Sequence, residues 1–125
     1  MAVKKILEKD IENYLRDEIK KIAVKNKNGK VIKSKAYKFK SPGTLGVPDR
    51  LVLLPYGISI FVELKRPGEE TRSSQNKQIE LLRDLGNDVH VIDTFEKADK
   101  FIDMCKHRVV IAEKEVLKHN DTRIK

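Results

Sequence analysis

Apolar positions recur along this chain in two periods, and the switches between them mark its elements. From about Lys5 to Ala23, Leu7, Ile11, Leu15, Ile19 and Ile22 fall three or four residues apart, predicting an amphipathic helix. The lysine-rich stretch "VKNKNGKVIKSKAYKFKS" follows, with Asn28-Gly29 as a helix stop or tight turn and a strand at about Lys35 to Lys40. "SPGTLGVP" is a Gly/Pro loop, after which two runs read as strands, about Asp49–Leu54 and Ile58–Lys65. A second loop, "RPGEETRS", leads into a helix from about Ser73 to Leu85. Ser73 or Ser74 is its expected N-cap, and Gly86 stands where a left-handed residue ends a helix. "DVHVID" reads as a short strand, and a further helix, about Thr94 to His107, buries Phe95, Ala98, Ile102 and Cys105. The last stretch, "RVVIAEKEVLKHNDTRIK", offers another strand and ends as a basic, loosely packed tail. The order α-β-β-β-α-β-α predicts an α/β fold with a mixed sheet. One domain is expected over residues 1–125, with a core at about 5–107 and a basic extension at 108–125.

The two strands after "SPGTLGVP" carry charges where apolar burial is expected. Side chains alternate faces along a strand, so Phe61, Glu63 and Lys65 oppose Ile60, Val62 and Leu64, while Asp49 lies with Leu51 and Leu53. The turn decides whether Asp49 meets Glu63. A two-residue loop at Tyr56-Gly57 pairs Asp49 with Leu64 and separates the carboxylates. A three-residue loop, Pro55-Tyr56-Gly57, pairs Asp49 with Glu63, and Pro first with Gly last suits a type I turn followed by a left-handed residue. The three-residue loop is therefore expected, with the two Cβ atoms ~5 Å apart. Carboxylates that close repel unless a cation lies between them, and a hard divalent ion suits oxygen ligands. Lys65, ~6.6 Å beyond Glu63 on the same face, would reach a water or phosphate there. Metal, water and lysine together suit phosphodiester hydrolysis. An E-x-K triplet alone is weak evidence in a chain that is 37% charged, and Glu18-Ile19-Lys20 is another. The combination of P-D, E-x-K and the surrounding apolar residues carries the reading.

Composition narrows the partner. A net charge of +8 and a pI near 9.6 favour a polyanion, with nucleic acid foremost. One cysteine excludes an internal disulfide and a cysteine-based zinc cluster, and His90, His107 and His119 are too scattered for a histidine metal site. The start "MAVKKILEKD" turns charged before an apolar run develops, and no run approaches the ~20 residues of a membrane span. A cytoplasmic protein without membrane association is expected. Lys33, Lys35, Lys38 and Lys40, with Ser41, approach the Gly43–Gly46 loop as a plausible phosphate track, and Arg66 and Arg72 flank the second loop. Nothing in the pattern reads base edges.

"GVPDRLVLLPYGISIFVELKRPG" followed by "SSQNKQ", behind an E-x-x-I-E helix and S-P-G, resembles the VRR-NUC nucleases of the PD-(D/E)xK superfamily, from the first helix to about Asp103. The resemblance implies a restriction-endonuclease-like αβββαβ core. It further implies a metal-dependent endonuclease that hydrolyses DNA phosphodiester bonds with Mg²⁺ or Mn²⁺. It makes Asp49 and Glu63 metal ligands, with the backbone carbonyl of Leu64 as a third and Lys65 acting on the nucleophilic water. Gln75 becomes the helix glutamine near the site, and Lys38 and Lys40 match the lysine-rich approach to S-P-G. The helix-1 glutamate falls on Glu8, which holds metal directly or through water, with Glu12 as its rival. At ~100° per residue Glu8 lies inside the apolar stripe and Glu12 at its edge, but Glu18 also falls in the stripe, which leaves the choice open with Glu8 preferred. Stand-alone phage or bacterial relatives imply a homodimer suited to branched or Holliday-junction DNA in repair or recombination. A non-catalytic DNA-binding module with the same fold is the alternative. Residues 24–36 are longer than the resemblance requires.

Overall fold

Three fully buried residues, Ile11, Leu15 and Ile19, form the inner stripe of α1, which spans Glu8–Lys20. The structure is a computed structural model that describes residues 5–123. The helix starts later than expected because Asp10 caps it: the Leu7 N–H donates to Asp10 Oδ2 at 2.9 Å. Ile22, just beyond the helix, is also buried.

The lysine-rich stretch contains an element that the apolar pattern does not reveal. β1 (Ala23–Lys25) and β2 (Val31–Lys33) form an antiparallel hairpin, a small sheet separate from the main one. Asn26 organises its tip by accepting the N–H groups of Asn28 and Lys30 on Oδ1 at 2.9 and 3.0 Å. Gly29 turns there with φ 78°, as the Asn-Gly signal predicts. Ser34 ties the base down, donating its N–H and its buried hydroxyl to the Ile22 carbonyl at 3.0 and 2.7 Å. The short apolar set Val24 and Ile32 is too small to announce two strands.

The main sheet is mixed, in the order β3 (Lys35–Lys38), β4 (Arg50–Leu54), β5 (Ile58–Leu64), β6 (Asp88–Ile92). The first two pairings are antiparallel and β5–β6 is parallel, so a crossover is required, and α2 (Ser73–Asp84) supplies it. On one face Val52, Ile60, Val62, Leu64 and Ile92 form a core with α1 and with Ala98, Phe101, Ile102 and Cys105 of the last helix, α3 (Phe95–Arg123). Fully burying side chains of this size contributes roughly 1.5–3 kcal/mol each. Tyr14 joins the two helices: its hydroxyl donates to Asp99 and its ring meets Phe95 edge-on at 5.4 Å. α2 packs against β6, where Ile79 and Val89 are buried outside that core.

Several expectations are corrected. Among the described residues no strand follows His107; α3, 29 residues long in all, runs through it, because Val109 carries on the buried spacing of Ala98, Ile102 and Cys105 without an intervening Gly or Pro. The cap of α2 is Arg72 rather than a serine, and its N–H is accepted by Gln75 Oε1 at 2.8 Å. Ile79 is the buried residue of that helix, and Gly86 takes the expected left-handed conformation. The hairpin turn has the expected three residues, but Tyr56 (φ 68°) is left-handed as well as Gly57 (φ 74°). A bulky residue there is uncommon, and Tyr56 is held by a side-chain hydrogen bond to Glu113 of α3.

The Gly43–Gly46 loop is fixed against the start of α2 by backbone contact. Gly46 has φ 86°, and a Cβ there would lie 2.4 Å from the Ser74 carbonyl oxygen. Gly46→Ala is expected to destabilise the fold by more than about 1 kcal/mol, read as a lower urea midpoint at unchanged slope.

Candidate active site

The pairing of β4 with β5 runs from Leu54↔Ile58 to Arg50↔Val62, and one step further places Asp49 opposite Glu63. Asp49 and Glu63 therefore share a face, as the three-residue loop requires. How the ladder ends is as informative as its register. The Asp49 carbonyl accepts the Phe39 N–H at 2.8 Å, so the backbone groups of Asp49 point toward β3 and those of its even-numbered neighbours toward β5. Beyond Arg50 the next ladder position facing β5 is Pro48, opposite Leu64. Proline has no N–H to give the Leu64 carbonyl. The Leu64 N–H donates instead to Asp49 Oδ2 at 2.8 Å. The Pro48-Asp49 dipeptide thus closes the ladder with a side chain and leaves the Leu64 carbonyl without the ladder donor that a non-proline residue would supply.

Glu63 is 1% exposed and hydrogen-bonded to Asp49, yet its Oε2 has no partner. Burial, then the hydrogen bond and the charge of Asp49, push its carboxyl far above the usual carboxylate range, with Lys65 opposing. Lys65, 4% exposed, projects from the same strand face, and its N–H donates to the Ile92 carbonyl at 2.9 Å. Glu8, half-buried at the start of α1, is also shifted up, by burial first and then by Asp49 and Glu69, with Lys65 again opposing. Glu8 therefore belongs to the same electrostatic cluster as Asp49 and Lys65. Glu12 has a separate engagement: its Oε2 lies 3.2 Å from Nε of the buried Arg50, which also donates to the Ala36 carbonyl. Glu18 pairs with Lys21.

The other expected residues divide by place. Lys38, Lys40 and Ser41 line, with Thr44, Gly46 and Asp49, a cleft of about 350 Å³. Gln75 is half-buried and its oxygen is committed to the α2 cap. Arg66 and Arg72 are exposed outside the cleft, and Arg66 lies 3.6 Å from Glu69. Sequence reasoning missed Arg50 and its partner. The alternation that sends Asp49 to one face sends Arg50 into the core, so a buried acid was needed and Glu12, at the stripe's edge, was within reach.

The donor set fits a hard divalent cation. Two adjacent carboxylates, one with an unpartnered buried oxygen, stand beside a backbone carbonyl that lacks a ladder donor. Among the described residues no three His, Cys, Asp or Glu side chains gather closely enough to hold a metal by themselves.

Two expectations follow. Glu12→Ala strands the buried Arg50 and is expected to cost about 3 kcal/mol or more, whereas Glu8→Ala relieves repulsion and shifts stability by less than about 1 kcal/mol, both read by urea unfolding. For Glu63 the folded pKa lies above the unfolded value near 4.5, so above that pH the folded state holds the extra proton. Its contribution is present at low pH and is lost as pH rises toward the folded pKa. In EDTA the urea midpoint is expected to fall between about pH 5 and pH 8, and Glu63→Gln is expected to flatten that fall.

Among known proteins, the chain is 45% identical over 89 residues to "Putative nuclease p44" of Acyrthosiphon pisum secondary endosymbiont phage 1, covering 71% of this chain and 85% of that one. A solved structure described as a VRR_NUC domain is 27% identical with a TM-score of 0.65, covering 77% of this chain and 94% of the other. A second, a VRR_NUC domain protein, is 16% identical with a TM-score of 0.60 over 82% of this chain and 89% of that one, and shares the fold. No family model matches the sequence. With a mixed sheet flanked by helices in common with these structures, and close identity across most of a phage relative, the chain belongs to the VRR-NUC nuclease family.

Proposed function

We propose that this protein is a divalent-metal-dependent endonuclease that hydrolyses DNA phosphodiester bonds with Mg²⁺ or Mn²⁺. The observation that supports it best is Glu63: a buried carboxylate with one unpartnered oxygen, facing Asp49 and followed two residues later by a buried lysine. Asp49, Glu63 and the Leu64 carbonyl would hold the cation, with Glu8 joining directly or through water. A cation bound there supplies Lewis acidity, which acidifies water and offsets charge developing on the phosphate. Lys65 orients the attacking water and donates to a phosphate oxygen. Lys38, Lys40 and Ser41 hold neighbouring phosphates in the cleft, and Arg66 and Arg72 extend that contact beside the second loop. Gln75 acts at the margin, fixing the first turn of α2 against the Gly46 loop.

The remaining expectations join this reading. The chain works as one domain in the cytoplasm. A homodimer would set two cleavage sites about a twofold axis, as branched or junction DNA in repair or recombination requires. Among the described residues no helix is long and apolar enough to cross a membrane.

The test is incubation with supercoiled and four-way-junction DNA, with Mg²⁺, Mn²⁺ or EDTA. Wild type is expected to cut only with metal, and Asp49→Ala and Lys65→Ala are each expected to lower the rate at least about 100-fold. Undiminished metal-dependent cutting by both variants would overturn the mechanism. Tight, salt-sensitive binding by a wild type that never cuts would make the chain a binding module instead.

A further inference from the structure

The surplus positive charge of this protein has an address. Residues 19–48 contain nine lysines and no acidic residue, which leaves eighteen Lys and Arg against nineteen Asp and Glu in the rest of the chain. The net charge of +8 therefore resides in this one segment, and the remainder is close to neutral. Lys38 and Lys40 belong to the cleft already described. Lys25, Lys27, Lys30 and Lys33 do not; they lie on the β1–β2 hairpin, and all four are exposed. Among the described residues none of these four takes part in an ion pair, whereas Lys21, at the foot of the hairpin, is paired with Glu18.

The hairpin is built to present that charge. Its register pairs Val24 with Ile32 on the half-buried face, and Val24 packs on the core. Lys25 and Lys33 face outward from the opposite side, while Lys27 and Lys30 stand on a tip locked by Asn26. The base is locked by Ser34. A rigid basic ribbon meets a phosphate backbone with little ordering cost. The thirteen residues of α1 span ~20 Å between the hairpin and Glu8. That distance matches about six phosphates along one DNA strand. Lys35 and Tyr37 lie between, on the sheet face that carries Asp49, with the Lys35 ammonium 4.4 Å from the Tyr37 ring centre.

We propose that the β1–β2 hairpin is a second DNA-contacting arm, which grips the phosphate backbone of the duplex about six nucleotides from the bond at the active site, without reading sequence. The proposal rests on DNA being the substrate of that site.

The experiment measures binding rather than cutting. Affinity for a fluorescent duplex of about 30 base pairs is followed by anisotropy in EDTA over a salt series, for wild type, K25Q/K27Q/K30Q and K25R/K27R/K30R. Each phosphate contact contributes about 0.9 to the slope of log affinity against log salt, so the Gln variant is expected to lose about 2 to 3 from that slope and the Arg variant almost none. A Gln variant with the wild-type slope would overturn the arm, and so would an Arg variant that loses as much as the Gln variant. The two readings fail separately: cutting with a hairpin-independent slope sinks the arm alone. A hairpin-dependent slope in a protein that never cuts sinks the nuclease and keeps the arm.

Discussion

An ionised carboxylate removed from water without partners is disfavoured by several kcal/mol, and a second carboxylate beside it adds repulsion. The sheet holds Glu63 where ionisation is disfavoured, so that without a cation its carboxyl keeps its proton far above the usual range, and every neighbouring feature enforces that position. The Pro55–Gly57 turn sets the register, Asp49 is fixed by accepting the Leu64 N–H, and Pro48 withholds the donor that would have continued the ladder. The core on the opposite face, with Ile60, Val62 and Leu64 fully buried, anchors β5 so that relaxation cannot carry Glu63 out to water. Strain of this kind concentrates where a ligand is expected to relieve it.

The same alternation that builds the site creates a second difficulty, and α1 resolves both. With Asp49 on one face, Arg50 must enter the core, where an unpaired guanidinium is as unfavourable as an unpaired carboxylate. Glu12 meets it. One turn earlier on the same side of the helix, Glu8 lies among Asp49, Lys65 and Glu69. The two glutamates at i and i+4 thus divide their work: one neutralises the core, and the other extends the acidic cluster. Their separation by one helical turn also means that the helix cannot rotate or slide to serve the site without breaking the Arg50 pair.

Much of this was readable in the sequence because it follows from period and turn length. The α1 stripe, the strands flanking Pro55-Tyr56-Gly57 and the shared face of Asp49 and Glu63 all depend on local spacing that burial then confirmed. Failures came where tertiary contact outweighed local signal. The hairpin at residues 23–33 is held by Ser34, Ile22 and the Asn26 turn rather than by an apolar run, so composition showed only lysines. The length of α3 was hidden because "RVVIA" has strand-like composition, whereas the buried spacing that runs on to Val109 and the hydrogen bond from Tyr56 to Glu113 favour helix. The oxygen of Gln75 caps α2, a use that spacing alone could not separate from a ligand-facing role.

Charge partition links the fold to its function. A carboxylate cluster is a poor place to bring a polyanion, since Asp49, Glu63, Glu8 and Glu69 all repel phosphate. Lys65 alone does not compensate at close range, and a cation would neutralise only the cluster itself. The attraction must therefore come from elsewhere on the molecule, and residues 19–48 hold all of the excess. Lys38 and Lys40 supply part of it within the cleft, but because screening reaches only ~8–10 Å in physiological salt, the hairpin lysines ~20 Å away cannot act on the scissile phosphate through the field. They act through contact, by holding a different part of the same DNA. The acidic site can then remain optimised for metal while a separate surface supplies affinity, which explains why nearly neutral composition elsewhere coexists with a strongly basic chain.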